Sequence, residues 1–282
     1  MVYFDNCDVA VNGSGVMATS ANIQSQNYLD PAYILEMRGE MSKPAADSIR
    51  NVLNIDYYVE VDNEPNIEII NSIKAFRQDD HVAKPFPVEV AGITGNFYLQ
   101  SYSFAVEPNK VTHARASFIC YDQLTGNGDL STKKKGDEGI DYNKSNSLAH
   151  GWTTYVASSG THIEVPTYKM DYGFNAEYKP IYTIGRKFPK QVQMIKANEE
   201  IKFVRDKYKH IVFSGEKAEE ALPNFENDSE ADLFEIEALC GSEESQTNQL
   251  KILVSGAVVT STAVIAGVGK QVRTAVSVNR NY

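Results

Sequence analysis

Alternation with a period of two runs through most of this sequence. It commits the chain to strands with one buried and one wetted face. In residues 52–61, VLNIDYYVEV, the side chains of Leu53, Ile55, Tyr57, Val59 and Val61 fall on one side, and Asn54, Asp56, Tyr58 and Glu60 on the other. The same pattern sets Val88 and Val90 around Glu89, and groups Tyr98, Tyr102, Phe104 and Val106. It recurs in Ala114, Ala116, Phe118 and Cys120, in Phe234, Ile236, Ala238 and Cys240, and in Val272, Thr274, Val276 and Val278. Helical spacing is rare. Ile69, Ile70, Ile73 and Phe76 form one apolar stripe, with Pro65 in the first turn and Glu64 and Glu68 at the positive end of the helix dipole. A shorter helix is expected from Ser214 to Pro223. The expected class is mainly β.

Residues 125–147 carry four Gly and a Lys triplet but almost no large apolar side chain, which reads as a linker or long loop. They separate residues 1–124 from 148–282, each of ordinary domain size. The two parts share an order of features. Pro31, Tyr33 and Arg38 recur as Pro180, Tyr182 and Arg186, each set followed by a long strand and then a helix. Gly92 in VEVAGITG matches Gly256 in ILVSGAVV, and the last alternating strands finish at Tyr121 and Tyr282. This order predicts an internal repeat.

Lys and Arg number 27 against 37 Asp and Glu, a net charge of −10, which argues against a general nucleic-acid binder. Cys7, Cys120 and Cys240 lie far apart with no CxxC, so free thiols in a reducing compartment are expected. The first residues have no basic segment before an apolar run, so no secretory signal is expected. Residues 252–269 are uncharged, yet they are rich in β-branched residues, Ser, Thr and Gly. They read as two adjoining strands, not a membrane helix.

No catalytic pattern emerges. The five His lack HExxH spacing, and Gly126 and Gly128 lack the rest of a dinucleotide fingerprint. Neither a phosphate loop nor a nucleophile elbow is present, and Asp79, Asp80 and His81 read as a solvated helix end. The expectation is a non-enzyme with no cofactor and no metal site. Sixteen Tyr and twelve Phe suit packed sheets and subunit interfaces. A carbohydrate-binding surface is the alternative use for them.

Residues 1–121 resemble a phage tail tube protein. The segments that carry the resemblance are NGSGVMATSANIQSQN, LDPAYILEMRG, VLNIDYYVEV and, after the helix, FPVEVAGITGNFYLQSYSFAVEPNKVTHARASF. With the repeat, it implies two tandem tail-tube-like β-sandwich or barrel domains, each with one flanking helix: domain 1 at 1–124, a linker at 125–147, and domain 2 at 148–282. It further implies a structural protein of the virion tail, made in the host cytoplasm, whose copies form a ring or tube for DNA passage. A tandem chain would do so as a trimer with a pseudo-sixfold ring, stacked on further rings. Other tail proteins such as sheath, tape measure or baseplate would be its partners. DNA would be met only in passage, without specific binding, and no membrane is involved. A baseplate hub or tube-initiator ring is the alternative within the same resemblance, and a carbohydrate- or ligand-binding β-sandwich for host attachment lies outside it. Asn54, Asp56 and Glu60 become lumen-facing candidates on a surface expected to be acidic and to repel phosphate. The loop 38–48 supplies Met41, Lys43 and Pro44 as subunit-interface candidates.

Overall fold

The computed structural model describes residues 9–28, 32–33, 40–42, 48–60, 64–76, 82–126, 152–158, 161–164, 167–184, 186–206, 234–240, 250–266 and 273–282. Its first half holds β1 (Val9–Val11), β2 (Ser14–Tyr28), β3 (Ala32–Tyr33), β4 (Glu40–Ser42), β5 (Ser48–Tyr58), α1 (Pro65–Phe76), β6 (Phe86–Val90), β7 (Ile93–Val106) and β8 (His113–Cys120). The second holds β9 (Trp152–Ser158), β10 (Thr161–Glu164), β11 (Thr167–Ile181), β12 (Gln191–Asp206), β13 (Phe234–Cys240), β14 (Leu250–Ile265) and β15 (Arg273–Asn281). The chain is mainly β, as the alternation predicts, and α1 matches the apolar stripe. The second expected helix, at 214–223, lies outside the described residues. So does the linker 125–147, apart from Thr125 and Gly126.

The first half closes on itself. Its strands run β1-β2-β5-β8-β7-β6 and return to β1, so the ladder closes through the starts of β2 and β7, while both of those strands run on past β1 and β6. Local chemistry sets the corners. Asn12 and Gly13 take positive φ (52° and 83°) in the two-residue turn between β1 and β2, where Asn-Gly suits the strand twist. Ala91 and Gly92 do the same between β6 and β7. Alternate side chains then point inward: Leu53, Ile55 and Tyr57 meet Phe97, Leu99, Tyr102 and Phe118 in one core.

The second half repeats that order strand for strand. β9-β13-β14-β15-β12-β11 follows the path of β1-β6-β7-β8-β5-β2. β10 pairs with β9 as the start of β2 pairs with β1, so Tyr155↔Glu164 matches Ala10↔Gly15. Two of the irregularities coincide as well. The register shift between Leu99 and Ser101 in β7 has its counterpart between Val259 and Ser261 in β14. The shift between Ala18 and Ser20 in β2 matches that between Thr167 and Lys169 in β11. Phe86↔Phe97 corresponds to Phe234↔Ala257. Through these ladders Asn51, Leu53, Ile55 and Tyr57 occupy the places of Glu199, Ile201, Phe203 and Arg205, and all eight are buried.

This register corrects three details of the sequence reading. Gly256 lies inside β14 beside the shift of β13, so its counterpart is Asn96, whereas Gly92 sits in a turn. Tyr282 falls one place beyond the counterpart of Tyr121, because Cys120 faces Asn51 where Arg280 faces Glu199. Residues 250–265 form one strand and not two; β14 changes partner from β13 to β15 near its middle without reversing.

The halves are joined edge to edge. β7 pairs with β11 from Ser101↔Asn175 to Val106↔Met170 while also pairing with β8. The result is a continuous sheet in the order β2-β5-β8-β7-β11-β12-β15-β14. Among the described residues, no helix is long and apolar enough to cross a membrane.

Candidate assembly and channel face

One surface of that sheet faces solvent, and the strand ladders fix which side chains share it. A row crosses it from Asn22 through Asn54, Ser117, Ser101, Asn175 and Asn198 to Asn281. The row is wholly small and uncharged polar. Asn198 Nδ2 donates to Asn279 Oδ1 at 2.7 Å and to Asn281 Oδ1 at 3.0 Å. The neighbouring row holds Ser20, Asp56, Arg115, Ser103, Gly173 and Glu200.

Three pairs of opposite charges lie on this face. Arg115 Nε meets Asp56 Oδ1 at 2.8 Å, Lys202 meets Glu200 at 3.0 Å, and Lys169 meets Asp171 at 3.2 Å. Burial opposes ionisation of Asp56, but hydrogen bonds from Ser20 and Arg115 outweigh it and hold the carboxyl below its ordinary range. Each of these three carboxylates thus has a cation at a neighbouring position of the sheet. Asn54 is exposed and Asp56 half-exposed on this face. Glu60 is not with them. It lies past the end of β5, where the alternation has ended, and is only 3% exposed. Met41 falls in β4, while Lys43 and Pro44 lie outside the described residues.

Sequence reasoning missed a polar cluster buried under α1. Glu64 precedes Pro65 as the helix cap. Its Oε1 accepts from the Tyr57 hydroxyl and from the Asn66 backbone N–H, and Asn66 Nδ2 donates to the Tyr57 oxygen at 2.7 Å. Burial pushes the Glu64 carboxyl up to about 8, against the opposing pull of those hydrogen bonds. Tyr102 lies beside this group and packs on Tyr172 of the second half, ring centroids 6.0 Å apart.

The Tyr172 hydroxyl donates to Glu199 Oε1 at 2.6 Å, and the Tyr282 hydroxyl donates to Oε2 at 2.6 Å. Lys74, from the last turn of α1, adds a third bond to Glu199 at 2.7 Å and reaches the Leu253 carbonyl at 3.1 Å. Helix α1 thus caps into the first barrel at one end and bonds into the second at the other. The only sequence signal for this was a Glu-Pro cap ahead of an apolar stripe; Glu199 sits in a stretch of alternation, at a buried position that ordinarily takes an apolar side chain.

The aromatic residues between the halves pack on one another. Phe104 stacks on Trp152 at 5.4 Å and lies 5.3 Å from Tyr172, and Tyr98 lies 5.3 Å from Tyr178. Among the described residues no cluster of His, Cys, Asp and Glu is placed to hold a metal. Cys120 is a free, buried thiol, raised chiefly by desolvation. Cys7 and the side chain of Cys240 lie outside the description.

The fold and this face define a class of protein: paired six-stranded β-barrels sharing a polar sheet. No family model matches the chain, and no curated protein matches it. Among solved structures it is similar to the Dit protein of phage SPP1, whose crystal structure is described as a paradigm of the hub adsorption apparatus in phages that infect Gram-positive bacteria. The identity is 11% and the TM-score 0.25, over 99% of this chain and 100% of that one. A likeness of that size fixes neither the fold nor the activity.

Proposed function

We propose that this chain is a structural protein of a phage tail, a duplicated tube-type domain whose copies close a ring around a DNA channel. The observation that carries the reading is the recurrence of strand order, register and two bulge positions in two barrels joined edge to edge. A unit that already docks beside a second unit of its own kind can dock beside a third, and closure removes the remaining strand edges. With two units per chain, a pseudo-sixfold ring needs three chains. The polar sheet would line the channel. Its Asn and Ser row and its locally paired charges offer no cationic track to hold phosphate, so DNA would slide.

Electron microscopy of the purified full chain in negative stain, with mass photometry on the same sample, tests this. Threefold or pseudo-sixfold rings are expected. Stacked tubes would mark a tail tube component, and rings that do not stack a hub or initiator. A monomer at every concentration, binding glycans through an exposed aromatic surface, would overturn the reading.

A further inference from the structure

The ring reading leaves open which edges meet, and the junction inside the chain answers this. β7 offers residues 101–106 to residues 170–175 of β11. By the registers above, the counterpart of β7 residues 101–106 is 261–266, in and just beyond β14, and the counterpart of β11 residues 170–175 is 21–26 of β2. Both counterparts are unclaimed on the corresponding side. β14 pairs only with β13 and β15 among the described residues, and beyond residue 16 β2 pairs only with β5. They stand at the two ends of the continuous sheet.

We infer that β14 of one copy pairs antiparallel with β2 of the next, in the register of the internal junction: Ala21↔Ala266, Asn22↔Ile265, Ile23↔Val264, Gln24↔Ala263, Ser25↔Thr262 and Gln26↔Ser261. The partner is a second copy of this chain, and the inference rests on the ring reading.

The chemistry of the two edges fits. Inside the chain the face of this junction that packs inward is closed by Met170, Tyr172, Phe174, Tyr102, Phe104 and Val106, all nearly inaccessible. At the free edges the same face carries Ile23, already packed on the core, and Val264, still 52% exposed. Pairing would lay Val264 against Ile23, as Phe104 lies against Tyr172. The opposite face would bring Gln24 against Ala263 and Asn22 against Ile265, now 50% exposed, and carry that surface from copy to copy. Exposed sheet edges invite this kind of strand addition, with main-chain bonds giving affinity and alternate side chains giving register. The smaller side chains make the joint between copies weaker than the internal one, so it can form after each chain has folded.

The test mixes two full-length variants, Gln24→Cys and Ala263→Cys, under mild oxidation, with the wild-type chain as blank for its own thiols. A reducible dimer is expected from the mixture and from neither variant alone. Mixing Asn22→Cys with Ser261→Cys, four residues out of register, should give at least about tenfold less, because directly opposed Cβ atoms lie about 5 Å apart and displaced ones do not. Val264→Asp should abolish oligomers while leaving the monomer folded by circular dichroism, since that side chain is exposed until the edges meet. If the wild type forms rings but the matched pair does not cross-link in preference to the displaced pair, the register is wrong and the ring reading stands. If the matched pair cross-links but only open chains appear in the microscope, the edge pairing stands and the ring reading fails. A wild type that stays monomeric with no cross-link overturns both.

Discussion

Asn51 and Glu199 hold equivalent places in the two barrels, on the strand that faces the last strand of each half, and both are buried. Their tasks differ. Asn51 donates to the Asp122 carbonyl at 3.0 Å and ties down the chain leaving its own barrel. Glu199 instead accepts from Tyr172 and Tyr282 of its own half and from Lys74 of the other. One backbone position thus serves closure of a unit in the first copy and attachment between units in the second. The lesson is that the barrels share a strand order, while the inward polar positions carry what distinguishes one half from the other.

The largest expected effect breaks that difference. Glu199→Ala leaves Lys74 without its carboxylate, and takes that acceptor from the hydroxyls of buried Tyr172 and half-buried Tyr282. Removing one partner of a buried ion pair costs about 3 kcal/mol or more. Asn51→Ala removes one hydrogen bond and should cost about 1 kcal/mol. Urea melts of both variants check the ratio. Equal losses would mean that Glu199 does no more for the joint between halves than Asn51 does within one.

A second variant sharpens the comparison through pH. Glu64 caps α1 on the first-barrel side of the same helix, and its carboxyl is raised from an ordinary 4.5 to about 8. Between those values the folded chain holds a proton that the unfolded chain has released. Its contribution is therefore complete below pH 4.5 and fades as pH rises towards about 8. Glu64→Gln keeps an oxygen to accept from Tyr57 but has no proton to lose, so the fall in stability over that window should flatten. Glu199 is left intact by this change, and Lys74 should keep its bond. A melting temperature that falls as steeply in the variant as in the wild type would remove Glu64 as the source.

The parts visible in the sequence were those set by side-chain period. Strand faces such as Leu53, Ile55 and Tyr57 follow from alternation alone, and α1 follows from Ile69, Ile70 and Ile73. The sequence aligned Gly92 with Gly256, whereas the ladders put Gly92 in a turn and Gly256 inside β14, because register depends on bulges, which leave no mark in composition. Of the buried cluster, only the helix start at Glu64 and Pro65 was visible. Nothing local distinguishes Glu199, which is buried, from Glu200, which shares the solvent face with Lys202, except which way the pleat turns. Glu60 failed for a related reason: alternation was carried two residues past the point where β5 ends.

The smallest effect concerns the polar face. Asp56 and Arg115 form an ion pair there, at places that Val204 and Ala275 hold in the second half. The first barrel thus carries a charge pair where the second has none, on a surface the ring reading assigns to one continuous channel. Arg115 is 77% exposed at its side chain, so water screens the attraction. Replacing both residues with their counterparts, Asp56→Val with Arg115→Ala, should change stability by less than about 1 kcal/mol. The double variant keeps the net charge and makes the two halves of the face more alike, so rings should form as before. Arg115→Ala alone leaves Asp56 unpaired and adds one negative charge per chain to the face. If rings of that variant differ from wild type only in how they retain DNA at low salt, the pair serves the channel surface. If ring formation itself is lost, the pair belongs to assembly, and this face does not look inward.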